Sequence, residues 1–481
     1  MNGFRLPALL LVPALLVGAV VYDERERPRP IAVTAVIEPG LAVANRASAA
    51  GTTWYCAAAS LQADDTVSLV NLTQEPRTGL VTAYPVVADS RLAPGAPAVE
   101  SITLGPGERR DVVPVNLVDR EVPVSLVAEF GGGGVLVEHQ SIDPELGAAD
   151  RRPCITSGAD GWFFPAGATA DDAEMTLVVF NPFPETAVAD ITFFTDAGGR
   201  NPRAYEALVI PGRSSRLLRV DEEVADRVQA STFLRARSGR LVVERALLLD
   251  GTAGRQGLSV SAGASRPSQV AYFPVASASA DRTTAIVVAN PSEEIAEIDI
   301  EFFVGPDRAV EPVERRIRPG QSVQLTFGPD TEDGRILEGV TDYSLIVRSQ
   351  NGIPIVAERF DVVVGAEDGL SSTIGSPLAA TVWAIDVGLA DPSRSTFSVL
   401  NPLAETIVQA TVTRLDGTVV AELELPSSGR AVVDLGDYLN GPGTLLLDAS
   451  SPVVVERELV GFSSRSTALA VPLADTIAVV E

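Results

Sequence analysis

Lysine is missing from this chain. All 37 basic residues are arginine, and they face 63 acidic residues, a formal net charge of −26. Such an anion is repelled by phosphate backbones, and no arginine cluster with interleaved aromatics offsets it, which argues against nucleic acid as a partner. Histidine occurs once, as His139. Every Ser-His-Asp, Cys-His or histidine-metal mechanism would have to pass through that residue, which stands where other copies of the same motif carry arginine; a structural polar residue at a strand end is the reading it supports. Two cysteines and one histidine cannot close a tetrahedral zinc site, and no Cys-x-x-Cys redox pair is present. Aromatics make up only 5% of the chain, so its cores are built from Val, Leu, Ile and Ala. Sustained helical periodicity is also lacking; Asp221–Val228 has room for two turns inside a loop. Missing lysine and scarce Met and His fit a GC-rich codon supply better than a site.

What the chain has in quantity is β-branched residues, 40 Gly and 34 Pro, a composition for strands and tight turns. Its 481 residues allow three or four domains, each able to bury a core. The strongest pattern is Leu241-Val-Val-Glu-Arg245, repeated as Ile355-Val-Ala-Glu-Arg359 and Val453-Val-Val-Glu-Arg457 and, in worn form, as Val135-Leu-Val-Glu-His139. An apolar run closed by a carboxylate and a cation predicts a strand with a charged exit.

The copies sit in four longer repeats. Each opens on an aromatic signal (Trp54-Tyr-Cys56, Trp162-Phe-Phe-Pro165, Tyr272-Phe-Pro274, Trp383-Ala-Ile385), at intervals of 108, 110 and 111 residues. A strand ending in Asn71, Asn181, Asn290 or Asn401 follows, and in the last three copies Pro comes next, a dipeptide that stops strands and starts turns. Ile298-Asp-Ile-Glu-Phe302 alternates strictly, as a sheet with one wet face does. Later come a hairpin turn (Asp196-Ala-Gly-Gly199, Asp416-Gly417), a Pro-Gly or Ser-Gly turn (Pro106-Gly107, Pro211-Gly212, Pro319-Gly320, Ser427-Ser-Gly429), the Glu-Arg strand and a weaker closing strand. About seven strands per hundred residues predict an all-β fold of four tandem Ig-like β-sandwiches: residues 51–155, 156–265, 266–378 and 379–481.

Before them, Leu6 to Val21 is a run of sixteen residues without charge, after one early cation at Arg5. As a helix it spans roughly 24 Å, short of a ~30 Å hydrocarbon core. No Ala-x-Ala cleavage pattern follows, so residues 1–22 are read as a hydrophobic signal-anchor helix, with a cleaved signal peptide and a secreted protein as the alternative. Residues 23–50, with the Pro-broken Asp23-Glu-Arg-Glu-Arg-Pro-Arg-Pro30, are read as a linker and first strand. An even cysteine count in an exported chain predicts a structural disulfide between Cys56 and Cys154.

The series Trp162-Phe-Phe-Pro-Ala-Gly167, Asn181-Pro182, Pro211-Gly-Arg-Ser214 and Val242-Val-Glu-Arg245 resembles a repeat of exported bacterial surface proteins. The opening Thr52-Thr-Trp-Tyr-Cys56 resembles that of a family of exported, membrane-anchored actinobacterial proteins. The likeness runs from about Gly51 to the C-terminus; the first copy departs from it with Asn71-Leu72 and with His139. It implies export and an anchor, and it brings no activity.

Candidate chemistry is sparse. Adjacent strand residues point to opposite faces, so Glu244 and Arg245, or their counterparts, cannot form a catalytic dyad within one copy; one of the two is expected to make a cross-strand ion pair and the other to be solvated or to support the next domain. Asp64-Asp65, Asp171-Asp172, Asp281 and Asp391 precede the Asn strands, but no dense Asp-x-Asp-x-Asp-Gly run makes a calcium loop of them, and turn or capping duty is expected. Gly131–Gly134 is a hairpin loop, not a phosphate cradle. No catalytic residue, metal ligand or cofactor is assigned. The expectation is a non-enzymatic scaffold or adhesion-type protein held outside the cell membrane by its N-terminal segment, facing an envelope protein or glycan. The alternative is a glycan-binding or glycan-processing accessory protein, which would need two carboxylates converging at ~5–10 Å in a pocket.

Overall fold

The computed structural model describes residues 41–481 except 89–94, 119–122, 306–307, 329, 366–367, 389, 462–463 and 479–481. The signal-anchor of residues 1–22 and most of the 23–50 linker lie outside the described residues. Among the described residues, no helix is long and apolar enough to cross a membrane.

The first repeat shows the unit. Its strands are β1 (Gly51–Ser60), β2 (Thr66–Asn71), β3 (Arg77–Val87), β4 (Ala98–Leu104), β5 (Arg109–Val112), β6 (Val124–Gly131), β7 (Val135–Asp143) and β8 (Ala148–Pro153). They form two antiparallel sheets, ordered β1-β6-β3-β4 and β5-β2-β7-β8. The third repeat reproduces both orders from Val270–Ser277 to Gly369–Ile374, and the second and fourth keep them with small additions. In the fourth, the sixth and seventh strands run on as one strand, Thr444–Gly461. The protein is thus all-β, in Ig-like sandwiches of eight strands. Residues 221–228 hold one hydrogen-bonded turn, Val224 to Val220, rather than two helical turns.

Each recurrent signal has a structural task. The four asparagines are fully buried. Asn181 donates to the carbonyls of Glu185 at 2.8 Å and Ile210 at 3.1 Å, and its side-chain oxygen accepts from the Phe183 amide at 3.1 Å. Asn71, Asn290 and Asn401 repeat this pattern. One amide therefore satisfies backbone groups of two different turns, which glutamine would overreach and aspartate could not do as a donor. The three tryptophans are also buried, and each indole donates to the first carbonyl of a Glu-Arg motif: Trp54 to Val135 at 3.0 Å, Trp162 to Leu241 at 3.0 Å, Trp383 to Val453 at 3.1 Å. The aromatic opening and the Glu-Arg strand are thus two halves of one contact. In the Pro-Gly turns a residue with φ near +60° is required, and Gly107 and Gly320 fill it without strain while Arg213 (φ 57°) and Ser428 (φ 47°) do so as non-glycines.

The repeats do not extend as beads. The front sheet of each packs on the back sheet of the next, and the fourth returns to the first. At the first seam, β3 pairs in parallel with Ser214–Arg219, joining sheets of repeats one and two, and Tyr84 packs against Phe180 at 5.2 Å. At the second, Phe233 meets Phe163 edge-on and Phe194 at a tilt, and Phe163 and Phe233 pack with Val356 of repeat three. Tyr272 and Ile346 of repeat three belong to the core of repeat four, and Ala384 and Val471 of repeat four to the core of repeat one. This is a heterologous, head-to-tail interface used four times, whose rotation closes. The start of the described chain helps to close it: Ala44 bonds to Pro472 and Ala474 in parallel-bridge fashion, and Arg46 pairs with Asp475 at 3.1 Å. The closing strands, β8, Gln256–Ala262, Gly369–Ile374 and Ser464–Leu469, each touch the next around the centre.

Candidate functional site

The Glu-Arg motif lies in mid-strand, not at an exit: Val242–Asp250 runs five residues past Arg245. Glu138, Glu244, Glu358, Glu456, Arg245, Arg359 and Arg457 all have no exposure to solvent. Neither member of a pair is solvated, which corrects the charged-exit reading. Strand alternation sends the two side chains of each motif to opposite neighbours. Arg245 of repeat two reaches Glu358 of repeat three at 2.6 Å, Arg359 of repeat three reaches Glu456 of repeat four at 2.8 Å, and Arg457 of repeat four returns to Glu138 of repeat one at 2.8 Å. The fourth joint is His139 of repeat one against Glu244 of repeat two, 3.7 Å apart. The motif is a closed ring of buried charges binding each repeat to the next.

Around each pair the geometry repeats. Glu358 accepts from the Ala166 amide at 2.7 Å, two residues past the opening strand Gly161–Phe164 of the previous repeat, and Glu456 from the Val275 amide at 2.9 Å, on the opening strand Val270–Ser277; Glu244 takes the Ala58 amide at 2.6 Å. The arginine donates to a carbonyl on or just after the opening strand, Arg245 to Ala166 at 2.5 Å, Arg359 to Val275 and Arg457 to Asp386. These hydrogen bonds to both ions are what make a buried pair tolerable, although Arg245 Nε, Arg457 Nε and Glu138 Oε1 are left without a hydrogen-bond partner. Supporting ions reinforce two joints. Burial opposes the ionisation of Asp361, yet Arg282 and Arg359 outweigh it and hold its carboxyl at about 2. Asp386 is likewise held at about 2, against its burial, by Arg151, Arg109 and Arg457. Burial alone would weaken the proton affinity of Arg359, and Glu456 and Asp361 more than restore it.

The histidine joint is different. Both ring nitrogens of His139 and the free oxygen of Glu244 are buried without a hydrogen-bond partner. Nearby Asp65 accepts from the amides of Leu61, Gln62 and Ile142 at 2.6, 3.0 and 2.7 Å, and burial nevertheless pushes its carboxyl up to about 6. The disulfide lies beside this joint. Cys56 of β1 and Cys154 just after β8 are bonded, with Cα atoms 4.9 Å apart. Arg245 and Arg359 stand over the rings of Phe164 and Phe273 at 5.3 and 6.0 Å; these rings lie two residues before Ala166 and Val275, as Cys56 lies two before Ala58. Repeat one has therefore exchanged an arginine over an aromatic ring for a histidine beside a disulfide.

At the centre, the closing strands contribute Ser and Thr. Arg152 of β8 is the exception. It pairs with Asp150 at 2.9 Å and donates to Ser371 at 3.1 Å, Thr373 at 3.0 Å and the Thr467 carbonyl, so one guanidinium ties repeat one to repeats three and four. Asp150 in turn accepts from Val260 of repeat two at 2.7 Å and from Ser466 of repeat four. Neither Asp150 nor Arg152 was singled out from sequence; their only signal is that the other closing strands lack charge at those positions.

The acidic loops are occupied by local structure: Asp65 as above, Asp172 by Arg255 at 2.5 Å, Asp391 by the Ser393 amide at 3.0 Å. Among the described residues, no three His, Cys, Asp or Glu side chains gather as a metal site would require. The Gly131–Gly134 segment connects β6 to β7, and at Gly134 (φ 76°) a Cβ would meet Thr73 at 2.2 Å.

No family model and no curated protein matches the chain. Among solved structures, a Thermotoga maritima protein, 1070, is similar at 22% identity over 23% of this chain and 95% of its own, with a TM-score of 0.20. The BSP domain of a biofilm-associated protein is 8% identical over 91% of this chain and 99% of its own, TM-score 0.14. A tetra-tandem repeat from the extending region of a large adhesion protein is 13% identical over 88% and 99%, TM-score 0.10.

Proposed function

We propose that this chain is a non-enzymatic, extracytoplasmic scaffold or adhesion-type protein, tethered to the membrane through its N-terminal segment and allied to the actinobacterial exported family it resembles. The observation that carries the reading is the fate of its buried charges. Groups that could do acid-base chemistry are neutralised in pairs inside the seams, where they hold four sandwiches in one ring. A disulfide across 98 residues suits an oxidising compartment. A ring of this kind is a rigid platform, and its convex faces and edge strands are the surfaces left to meet an envelope protein or glycan.

Two measurements on cells making the intact protein test this. Cys56 and Cys154 should resist alkylation until reduced, and the protein should stay with the membrane fraction yet be cleaved by protease added outside. Reactive thiols or protection from that protease would overturn the assignment. Crosslinking in the envelope then identifies the partner; capture of a glycan chain cut at defined bonds would favour the accessory-enzyme alternative.

A further inference from the structure

At one end of the ring axis the segments after the four closing strands converge with Leu41–Val43 around a funnel of about 130 Å³. Its walls are mostly apolar, among them Val43, Ile155, Ile355, Ile374 and Leu378, with serine and threonine between them, and Trp383 reaches it from the core. Among the described residues no Asp, Glu or His lines it, and two arginines do. Arg152 is buried and its donors are taken by the axial bonds described above. Arg266 is exposed and lines the mouth of the funnel, and among the described residues it has no ion-pair partner. In a chain of net charge −26, a guanidinium left without a carboxylate beside an apolar mouth is a local reversal of sign. The volume is close to that of an engineered apolar cavity of about 150 Å³ that takes up benzene.

We propose that the funnel binds a small apolar monoanion, an aryl or branched-alkyl carboxylate, with its apolar body among the closing segments and its carboxylate on Arg266. The two features call for two parts of one ligand: the hydroxyls of Ser268, Ser372, Thr373 and Ser376 in the walls are engaged within the protein and leave little for a sugar, a single exposed cation does not match a polyanion, and that cation offers nothing to a neutral hydrocarbon.

Calorimetric titration of the intact protein with 3-phenylpropanoate tests it. Saturable binding of one equivalent is expected, with 3-phenylpropanol, its uncharged analogue, bound about tenfold more weakly. Arg266→Glu should weaken the anion about tenfold, leave the alcohol unchanged and leave the melting temperature unmoved, since the side chain is exposed. Ala262→Trp, which fills the funnel, should weaken both ligands together. Absence of saturable binding by the wild type, or equal affinity of the Arg266→Glu protein for the anion, would overturn the proposal. Should the Ala262 variant not fold, the charge reversal still decides.

Discussion

Three joints of the ring are closed by arginine and one by histidine, and the contrast teaches what the buried charges are for. Arginine carries its charge at every pH, presents a fork that serves a carboxylate and a carbonyl at once, and is weakly hydrated, so it survives burial between two repeats. Arg245, Arg359 and Arg457 each use the fork in that way. Histidine is shorter and is charged only when protonated; at 3.7 Å from Glu244 it does not hydrogen-bond. The first joint compensates by other means: the parallel pairing of β3 with repeat two, the hydroxyl contact of Ser125 with Ser215 at 2.8 Å, and the neighbouring disulfide. The last joint has no chain continuing from one repeat to the next, and it carries the most ion pairs, with Arg109 and Arg151 both on Asp386 at 2.9 and 2.5 Å.

Breaking one partner in each kind of joint should show the contrast most strongly. Glu358→Ala leaves Arg245 buried and uncompensated and should cost about 3–5 kcal/mol, whereas Glu244→Ala strands no arginine, removes chiefly the acceptor of the Ala58 amide and should cost roughly 1–2 kcal/mol. Denaturant unfolding measures both, and equal losses would erase the distinction between the joints. Replacing both Arg245 and Glu358 by apolar residues of similar size should recover most of the loss.

Acid and base should loosen different joints. Asp361 and Asp386, held at about 2 in the arginine joints, give stability that is full above the unfolded value of about 3.9 and is lost as pH falls toward 2. Asp65, pushed up to about 6 beside the histidine joint, binds its proton more tightly when folded. Its contribution is full below about pH 4 and is lost as pH rises through 6. The midpoint of urea unfolding should therefore be higher at pH 5 than at pH 3 or pH 7.5, and a maximum at pH 7.5 would contradict this account.

Restoring the fourth arginine sharpens the comparison from the other side. His139→Arg should reach Glu244 and the Ala58 carbonyl, as Arg245 reaches Glu358 and Ala166, and raise stability by about 1–2 kcal/mol. A drop in melting temperature would mean that repeat one has closed around the smaller ring. The smallest change lies in the turns. Arg213→Gly relieves a left-handed backbone that Gly107 and Gly320 adopt freely, against the entropy glycine adds to the unfolded chain, for a net gain of no more than about 1 kcal/mol. The same substitution moved two places to Pro211 should give no gain.

Much of the fold is legible along the chain because its signals are local. Asn-Pro turns, alternating strands and aromatic openings act over a few residues, and a pattern stated four times averages out its own exceptions. The pairing of Cys56 with Cys154 also followed from count and placement. The role of the Glu-Arg motif was less legible. Read alone, Leu241-Val-Val-Glu-Arg245 looks like a strand meeting water. The apolar Ala246-Leu-Leu-Leu249 beyond it was the available sign that the strand continues inside the protein. The closing strands were least legible of all: Gly369-Leu-Ser-Ser-Thr-Ile374 has short polar side chains and weak strand character, which reads as an edge, yet these side chains are small enough for four strands to meet at one centre and to satisfy each other there.

By itself, then, the sequence determined the repeat, its length and its β character, since these depend on composition and on contacts between near neighbours. Only the tertiary structure decided that the four repeats close on themselves, that Glu138 meets Arg457 across 319 residues, and that Arg152 stands on the axis. Whether a head-to-tail contact builds a filament or a ring depends on the rotation from one copy to the next, and no single repeat encodes that angle.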